Sequence, residues 1–474
     1  MSKSKSYIFL FGIPILIFLF ITIIVGFNGY YGQDSYEYLR FTRALYESYV
    51  QGSEAGDFGV ALPVLYSVYG SVASFFSSPI FALRLVSFLS FLVAIFYFCK
   101  ILQTVFPKYK STAWIFSLVF FVLSPNVLKA GMLAMTDTLC LAFVLAGFYY
   151  SLLYWQRSNS FALLISIFCI SSAFMTRYIA APLLLIPSLI TVFYFFKYRD
   201  FKWLPLVALM IGLAFLPQYL IRGEDFFSFM SDKGISLWSV QHLLQSKFER
   251  DVSQAQYDVI NLIFVLKNWW HPSYILLGIP FLLFVRISDL KKQAVIVGIL
   301  MTLLYAFYLG GISFQNTRYL VLSFPFILLL YFPAFNRILD KVKSTNHRLM
   351  AGVFLGILQL GMFGYLLQKL VVMNQGEKVI TKMVNEKMIP NSTIYTLSFE
   401  GPLRAYTTHQ THSLLGENIT ELEENTYLFF NEPFTRSLLL DESVWQNFEF
   451  LKSNGDLVEM ETFENGFVLY EVKK

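Results

Sequence analysis

Cysteine and charge are both scarce in this sequence. Only three cysteines occur in 474 residues, Cys99, Cys140 and Cys169, all inside apolar stretches and without metal-ligand spacing, which excludes a disulfide scaffold and a zinc ribbon. Charged residues make up 14% of the chain, histidines number five, and no internal repeat or low-complexity tract is present. So little polar surface cannot cover an ordinary soluble protein of this size, and the composition also excludes disordered and fibrous classes. The missing repeats argue against the inverted-repeat transporters. The net charge of +5 is spread along the chain rather than gathered into a patch, so no nucleic-acid partner is indicated.

What is abundant is apolar: 56% hydrophobic and 18% aromatic residues, with a mean hydropathy of +0.57. This composition predicts a polytopic α-helical membrane protein. Eleven apolar segments, near 7–27, 79–99, 112–128, 133–154, 160–176, 178–196, 203–221, 273–285, 293–311, 318–335 and 349–371, are each read as a crossing. The first follows Lys3 and Lys5 and has no small-residue cleavage site, so it reads as a retained helix. With the N-terminus cytoplasmic, the inner connections and that terminus carry sixteen Lys and Arg against three acids, Asp200, Asp289 and Asp340. Loops 28–78 and 222–272 and the tail then face outward. The expected division is a transmembrane domain over 1–372 and a small extracytoplasmic mixed α/β domain over 373–474. The tail carries sixteen acids, eight bases and short strand-like runs at Ser392 to Leu397, Thr426 to Phe430, Leu457 to Glu461 and Gly466 to Val472.

Ionisable residues collect at the outer ends of the segments. In Gly32-Gln33-Asp34-Ser35-Tyr36-Glu37-Tyr38, the spacing of Tyr38, Phe41, Leu45 and Tyr49 predicts an amphipathic helix with Asp34 at its start. Asp34 then reads either as a helix cap in a box with Glu37 or as a carboxylate that accepts a proton from substrate. Arg84 near the outer end of the second segment, Arg177-Tyr178 and Arg318-Tyr319 set cations at the outer headgroup level, where they suit a phosphate. Asp137 opens the fourth segment and needs a partner, either a buried pair with Lys129 or Arg177 or a cation. Asp57 in the first loop and His271, after Trp269-Trp270, complete an optional divalent-metal set with Asp137.

In order and membrane side, Asp34 in an aromatic first loop, Phe81-Ala82-Leu83-Arg84-Leu85-Val86-Ser87, Met135-Thr136-Asp137-Thr138 and Thr317-Arg318-Tyr319 resemble the membrane-embedded GT-C glycosyltransferases of the protein O-mannosyltransferase and aminoarabinose-transferase superfamily. The resemblance covers about residues 7 to 370. It implies inverting transfer of a sugar from a polyprenyl-phosphate donor to a lipid, glycan or protein acceptor on the outer side of a bacterial cytoplasmic membrane. Asp34 would be the catalytic base, Arg84, Arg177 and Arg318 would bind phosphate, and Tyr38, Tyr319 and Glu37 would contact substrate. Two departures stand out: Ser35 follows Asp34 where many relatives have a second acid, and Asp57-Phe58-Gly59-Val60-Ala61-Leu62-Pro63 replaces a His-Lys-Pro-Pro type sequence. A ligase or polymerase using diphosphate-linked glycans and a lipid-linked glycan transporter are the rival readings. The near absence of charge in the segment centres speaks against the transporter.

Overall fold

The computed structural model describes residues 3–52, 62–226, 238–250, 253–342, 344–416, 418–438 and 442–473. Each segment expected to cross the membrane contains helix. Seven helices among the described residues are long and apolar enough to span a bilayer, or eight if a bent pair is one span. They are Pro79–Val105, Asp137–Arg157, Tyr178–Tyr198, Phe201–Phe226, Gln293–Gly311, Leu320–Lys341 and Asn346–Lys387, with the bent pair Ala113–Val122 and Pro125–Met132. Shorter apolar helices cover Tyr7–Ile23 and Ser160–Thr176. The stretch expected at 273–285 holds only the seven-residue helix Gly278–Phe284. The chain is thus a polytopic helical membrane protein with a small C-terminal β-sheet domain.

Local chemistry sets the helix ends. Pro79 occupies the first turn of its helix, with the Ser78 hydroxyl accepting from the Phe81 amide at 3.4 Å. Residues Ser117–Val122 run as a π-helix, and Pro125, which has no amide hydrogen, restarts the chain after Ser124 at a bend of 73°. Asn159 caps Ser160–Thr176, accepting from the Ala162 amide.

By contacts the chain divides into two units. The first comprises Met1–Gly29, Phe41–Gln245 and Val259–Gln368; the second comprises Tyr30–Arg40, Ser246–Asp258 and Lys369–Lys474. In the first, the apolar faces of Pro79–Val105, Asp137–Arg157 and Leu320–Lys341 are buried around fully enclosed aromatics such as Phe91, Phe98, Phe120 and Tyr331.

In the second unit, strands β1 (Lys247–Arg250) and β2 (Ser253–Gln256) form an antiparallel pair. The tail folds on a five-stranded sheet of β3 (Thr393–Thr396), β4 (Gln410–Ser413), β5 (Thr426–Phe430), β6 (Asp456–Thr462) and β7 (Val468–Lys473), in the order β4-β3-β5-β7-β6. β3 is parallel to both of its neighbours, whereas β7 is antiparallel to both of its own. Alternation sends Ile394 and Phe429 to one face with Val384, Phe399 and Leu403, and Tyr395 and Leu428 to the other with Val444 and Leu451. Both faces are covered. All four runs expected from the sequence are strands; β4, polar in sequence as Gln-Thr-His-Ser, gave no apolar alternation to read.

Candidate active site

The residues singled out in the sequence fall in both units. In the second, the helix Gly32–Gln51 begins where the sequence places it, and Asp34 lies exposed in its first turn. Beside it, the buried Ser35 hydroxyl accepts from the Tyr31 amide at 2.8 Å and donates to the Tyr31 carbonyl at 2.6 Å. Glu37 does not close a capping box. Its carboxylate pairs with Arg40 at 2.8 Å and with Arg404 at 3.3 Å. Tyr36 is buried, with its hydroxyl donating to Glu377 at 2.5 Å and its ring edge-on to Tyr406; burial first, then Tyr406 and Glu377, hold the phenol far above its ordinary range, so it stays a donor. A Cβ at Gly401 would lie 2.6 Å from the Tyr36 Cβ, so only glycine allows this approach. Tyr38 is buried, at 4% exposure.

In the first unit, three separate helix ends converge on Asp137. The carboxylate is 0% exposed at the first residue of Asp137–Arg157, where the helix dipole favours negative charge. Arg177 ends the helix Ser160–Thr176 in an extended conformation, its amide donating to the Ala173 carbonyl at 3.1 Å, and its guanidinium pairs with Asp137 Oδ1. Arg318 stands in a turn in which the Asn316 side chain accepts from its amide at 3.0 Å, and its Nε reaches Asp137 Oδ2 at 2.9 Å. Tyr319 lies beneath Arg177, 4.5 Å from guanidinium carbon to ring centroid. The Tyr305 hydroxyl donates to the Tyr319 carbonyl, and Asn268 donates to the Leu320 carbonyl and the Ser323 hydroxyl, fixing the start of that helix.

Among the described residues, two guanidinium groups face the one carboxylate of Asp137, a local excess of positive charge. Lys129, partly buried on Pro125–Met132, is close enough to Arg318 to interact electrostatically and adds to it. A buried pair is costly unless its hydrogen bonds are met, and surplus positive charge beside it suits an anion.

Arg84 is 1% exposed. Its Nη1 donates to the Phe27 carbonyl, and its guanidinium carbon lies 4.7 Å from the Phe18 ring centroid and 5.8 Å from that of Phe27. Ser87, one turn on, ties this helix to the Asp137 motif: its hydroxyl donates to the Met135 carbonyl and accepts from the Met135 amide, while Thr138 donates to the Ser87 carbonyl. Tyr66 completes the network on Ser87 at 2.6 Å. Ser87 stood within a quoted motif, yet nothing in its spacing announced a backbone clamp.

Gly29 sits against Arg84. Its φ is +90°, and a Cβ there would fall 2.9 Å from both the Met132 carbonyl oxygen and Arg84 Cδ. Gly29→Ala is expected to cost about 1–3 kcal/mol, combining left-handed strain with displacement of Arg84. Thermal unfolding of the purified protein checks it; an unchanged midpoint would refute the close approach.

The metal set lies only partly within the described residues. Among the described residues no group of three His, Cys, Asp or Glu side chains could hold an ion, Asp137 is taken by two arginines, and Asp57 lies outside the described residues. His271 is in a turn, its Nδ1 accepting from the Ser273 amide at 3.2 Å and sharing a hydrogen bond with the Ser273 hydroxyl at 2.7 Å. Burial and then Lys267 push it below its ordinary value, so it stays neutral.

No protein-family model and no curated protein matches the chain. Solved structures do match in fold. The crystal structures of ArnT from Cupriavidus metallidurans, one bound to undecaprenyl phosphate and one in the apo state, each superpose with a TM-score of 0.67 at 12% identity, covering 99% of this chain and 98% of theirs. The chain therefore has the fold of ArnT over 99% of its length.

Proposed function

We propose that this protein is an inverting glycosyltransferase that moves a sugar from a polyprenyl-phosphate donor to a hydroxyl of a lipid, glycan or protein acceptor. The observation that carries the reading is the likeness to ArnT over 99% of the chain, one of whose structures holds undecaprenyl phosphate. The positive surplus around Asp137 supports it, since a polyprenyl phosphate leaves as an anion. In the reaction, the acceptor oxygen attacks the anomeric carbon, the bond from that carbon to the phosphate oxygen breaks, and Asp34 takes the acceptor's proton. Arg84, Arg177 and Arg318 stabilise charge on the departing phosphate. A phosphate that leaves as a stable anion needs no carboxylic acid to protonate it, unlike the leaving group of a glycosidase. Tyr38, Tyr319 and Glu37 orient the substrates, and Asp137 holds two of the arginines in place.

The same reading assigns eleven crossings in a bacterial inner membrane. The N-terminus is cytoplasmic, and the small domain from residue 373 is outside, with loops 28–78 and 222–272. The charge sorting supports this: Lys197, Arg199, Lys202, Lys292, Arg337 and Lys341 all lie at the helix ends opposite the Asp137 cluster.

Binding of undecaprenyl phosphate by the purified protein, followed by native mass spectrometry, tests the phosphate assignment. Arg318→Gln keeps the Arg177 pair on Asp137 and is expected to weaken binding about tenfold or more, the worth of a charge-assisted hydrogen bond. Unaltered affinity would remove Arg318 from the phosphate site.

A further inference from the structure

A groove of about 350 Å³ runs between the helices Ser160–Thr176, Ala181–Tyr198 and Leu204–Arg222. Its floor is buried at Leu163 and Thr191, and its rim is exposed at Val192, Phe196 and Leu204, so it opens sideways toward the hydrocarbon. Of the three hydroxyls along it, the two other than that of Ser171 are already used: Ser188 donates to the Leu184 carbonyl at 2.8 Å, and Thr191 accepts from Trp155 at 3.1 Å. Ser171 apart, what remains is an apolar surface suited to a hydrocarbon chain.

Depth and charge decide which chain. From Leu204 to Ile211 the lining extends about 10 Å at 1.5 Å per residue, well within one leaflet of a ~30 Å core. It starts at the helix ends that carry Lys197, Arg199 and Lys202; Arg177, which pairs with Asp137, lies at the opposite ends of Ser160–Thr176 and Ala181–Tyr198. Those three cations are exposed. The acid among them, Asp200, is turned inward at 8% exposure and accepts from the Tyr154 hydroxyl at 2.8 Å. Phe201, in the same connection, packs against Phe195 and Phe196 of the groove wall at 5.6 and 5.7 Å between ring centroids, fastening the cationic turn to the groove mouth. An apolar slot with a cationic rim at headgroup level is complementary to a phospholipid that carries net negative charge.

We propose that this groove holds one acyl chain of an anionic phospholipid from the leaflet opposite the Asp137 cluster, with its headgroup phosphate on Lys197, Arg199 and Lys202. The site is separate from the polyprenyl-phosphate donor and does not depend on the catalytic reading.

Delipidated full-length protein is titrated with dioleoyl phosphatidylglycerol and, separately, with dioleoyl phosphatidylcholine, and bound lipid is counted by native mass spectrometry. Phosphatidylglycerol is expected to bind about tenfold more tightly. The triple change Lys197→Gln, Arg199→Gln and Lys202→Gln abolishes that preference, and Val207→Trp, which fills the groove, weakens both lipids alike. Unchanged thermal unfolding of the variants confirms that they are folded; if Val207→Trp unfolds, Ile211→Phe provides the same test. Equal binding of the two lipids by the wild type would overturn the proposal, as would a preference that survives the triple change. Displacement of phosphatidylglycerol by undecaprenyl phosphate in direct competition would overturn it too, by giving the groove to the donor.

Discussion

Asp34→Asn is expected to lower acceptor-dependent turnover by about 10²–10⁴-fold, the usual worth of a general base, while leaving the protein folded. The side chain is exposed in the first turn of its helix, where the helix-dipole contribution of its charge is about 0.3–1 kcal/mol. A large rate effect with a small stability effect separates a proton acceptor from a cap. Glu37→Gln provides the contrast within the same helix. Its carboxylate is spent on Arg40 and Arg404 in partly exposed pairs, each worth about 0–1 kcal/mol, so its loss is expected to cost far less rate than Asp34→Asn. Paired kinetics and thermal unfolding on the two variants read this. Asp34→Asn with full turnover, or with lost activity that tracks unfolding, would leave Asp34 as a cap.

Asp137→Asn should behave in the opposite way. Neutralising a fully buried carboxylate that pairs with Arg177 and Arg318 removes an ion-pair partner from both, and breaking a buried pair from one side costs about 3–5 kcal/mol. Adding Arg318→Gln to Asp137→Asn should restore part of that loss, because the second change removes one of the two charges that the carboxylate balanced. An anionic ligand should do the same. Undecaprenyl phosphate is therefore expected to raise the unfolding midpoint of Asp137→Asn more than that of the wild type, since binding the native state alone stabilises it. If the variant unfolds no earlier than the wild type, the trio does not hold these helix ends together; if it is destabilised but the lipid rescues it no more than the wild type, the cluster does not receive the phosphate.

Local patterns in the sequence carried much of the fold. Among the described residues, apolar length located every helix long and apolar enough to span a bilayer, and alternation located β3, β5, β6 and β7. The partner of Asp137 was half legible. Arg177 was a candidate, but Arg318 is 181 residues away, and no periodicity links positions so distant. Asp137 was also a candidate metal ligand for the same reason, that a buried carboxylate needs positive charge; two arginines supply it. The break at Ser117–Val122 depends on a π-helix that apolar composition cannot signal, and Gly278–Phe284 is shorter than its apolar run suggested. The membership of Tyr30–Arg40 and Ser246–Asp258 in the unit of the C-terminal sheet was not legible either. For the first of these segments it rests on long-range contacts of Tyr36 and Glu37 with Glu377, Tyr406 and Arg404, which the local amphipathic pattern hides.

The most direct test of the function is the identity of the lipid product. Wild-type protein in lipid is incubated with a panel of polyprenyl-phosphate sugars and a crude envelope acceptor fraction, and the lipid released is resolved by mass. Acceptor-dependent release of free polyprenyl phosphate, with the sugar recovered on the acceptor in inverted anomeric configuration, is the expected result. No release from any monophosphate donor, together with turnover of diphosphate-linked glycans, would contradict the account and assign the chain to glycan ligation or polymerisation.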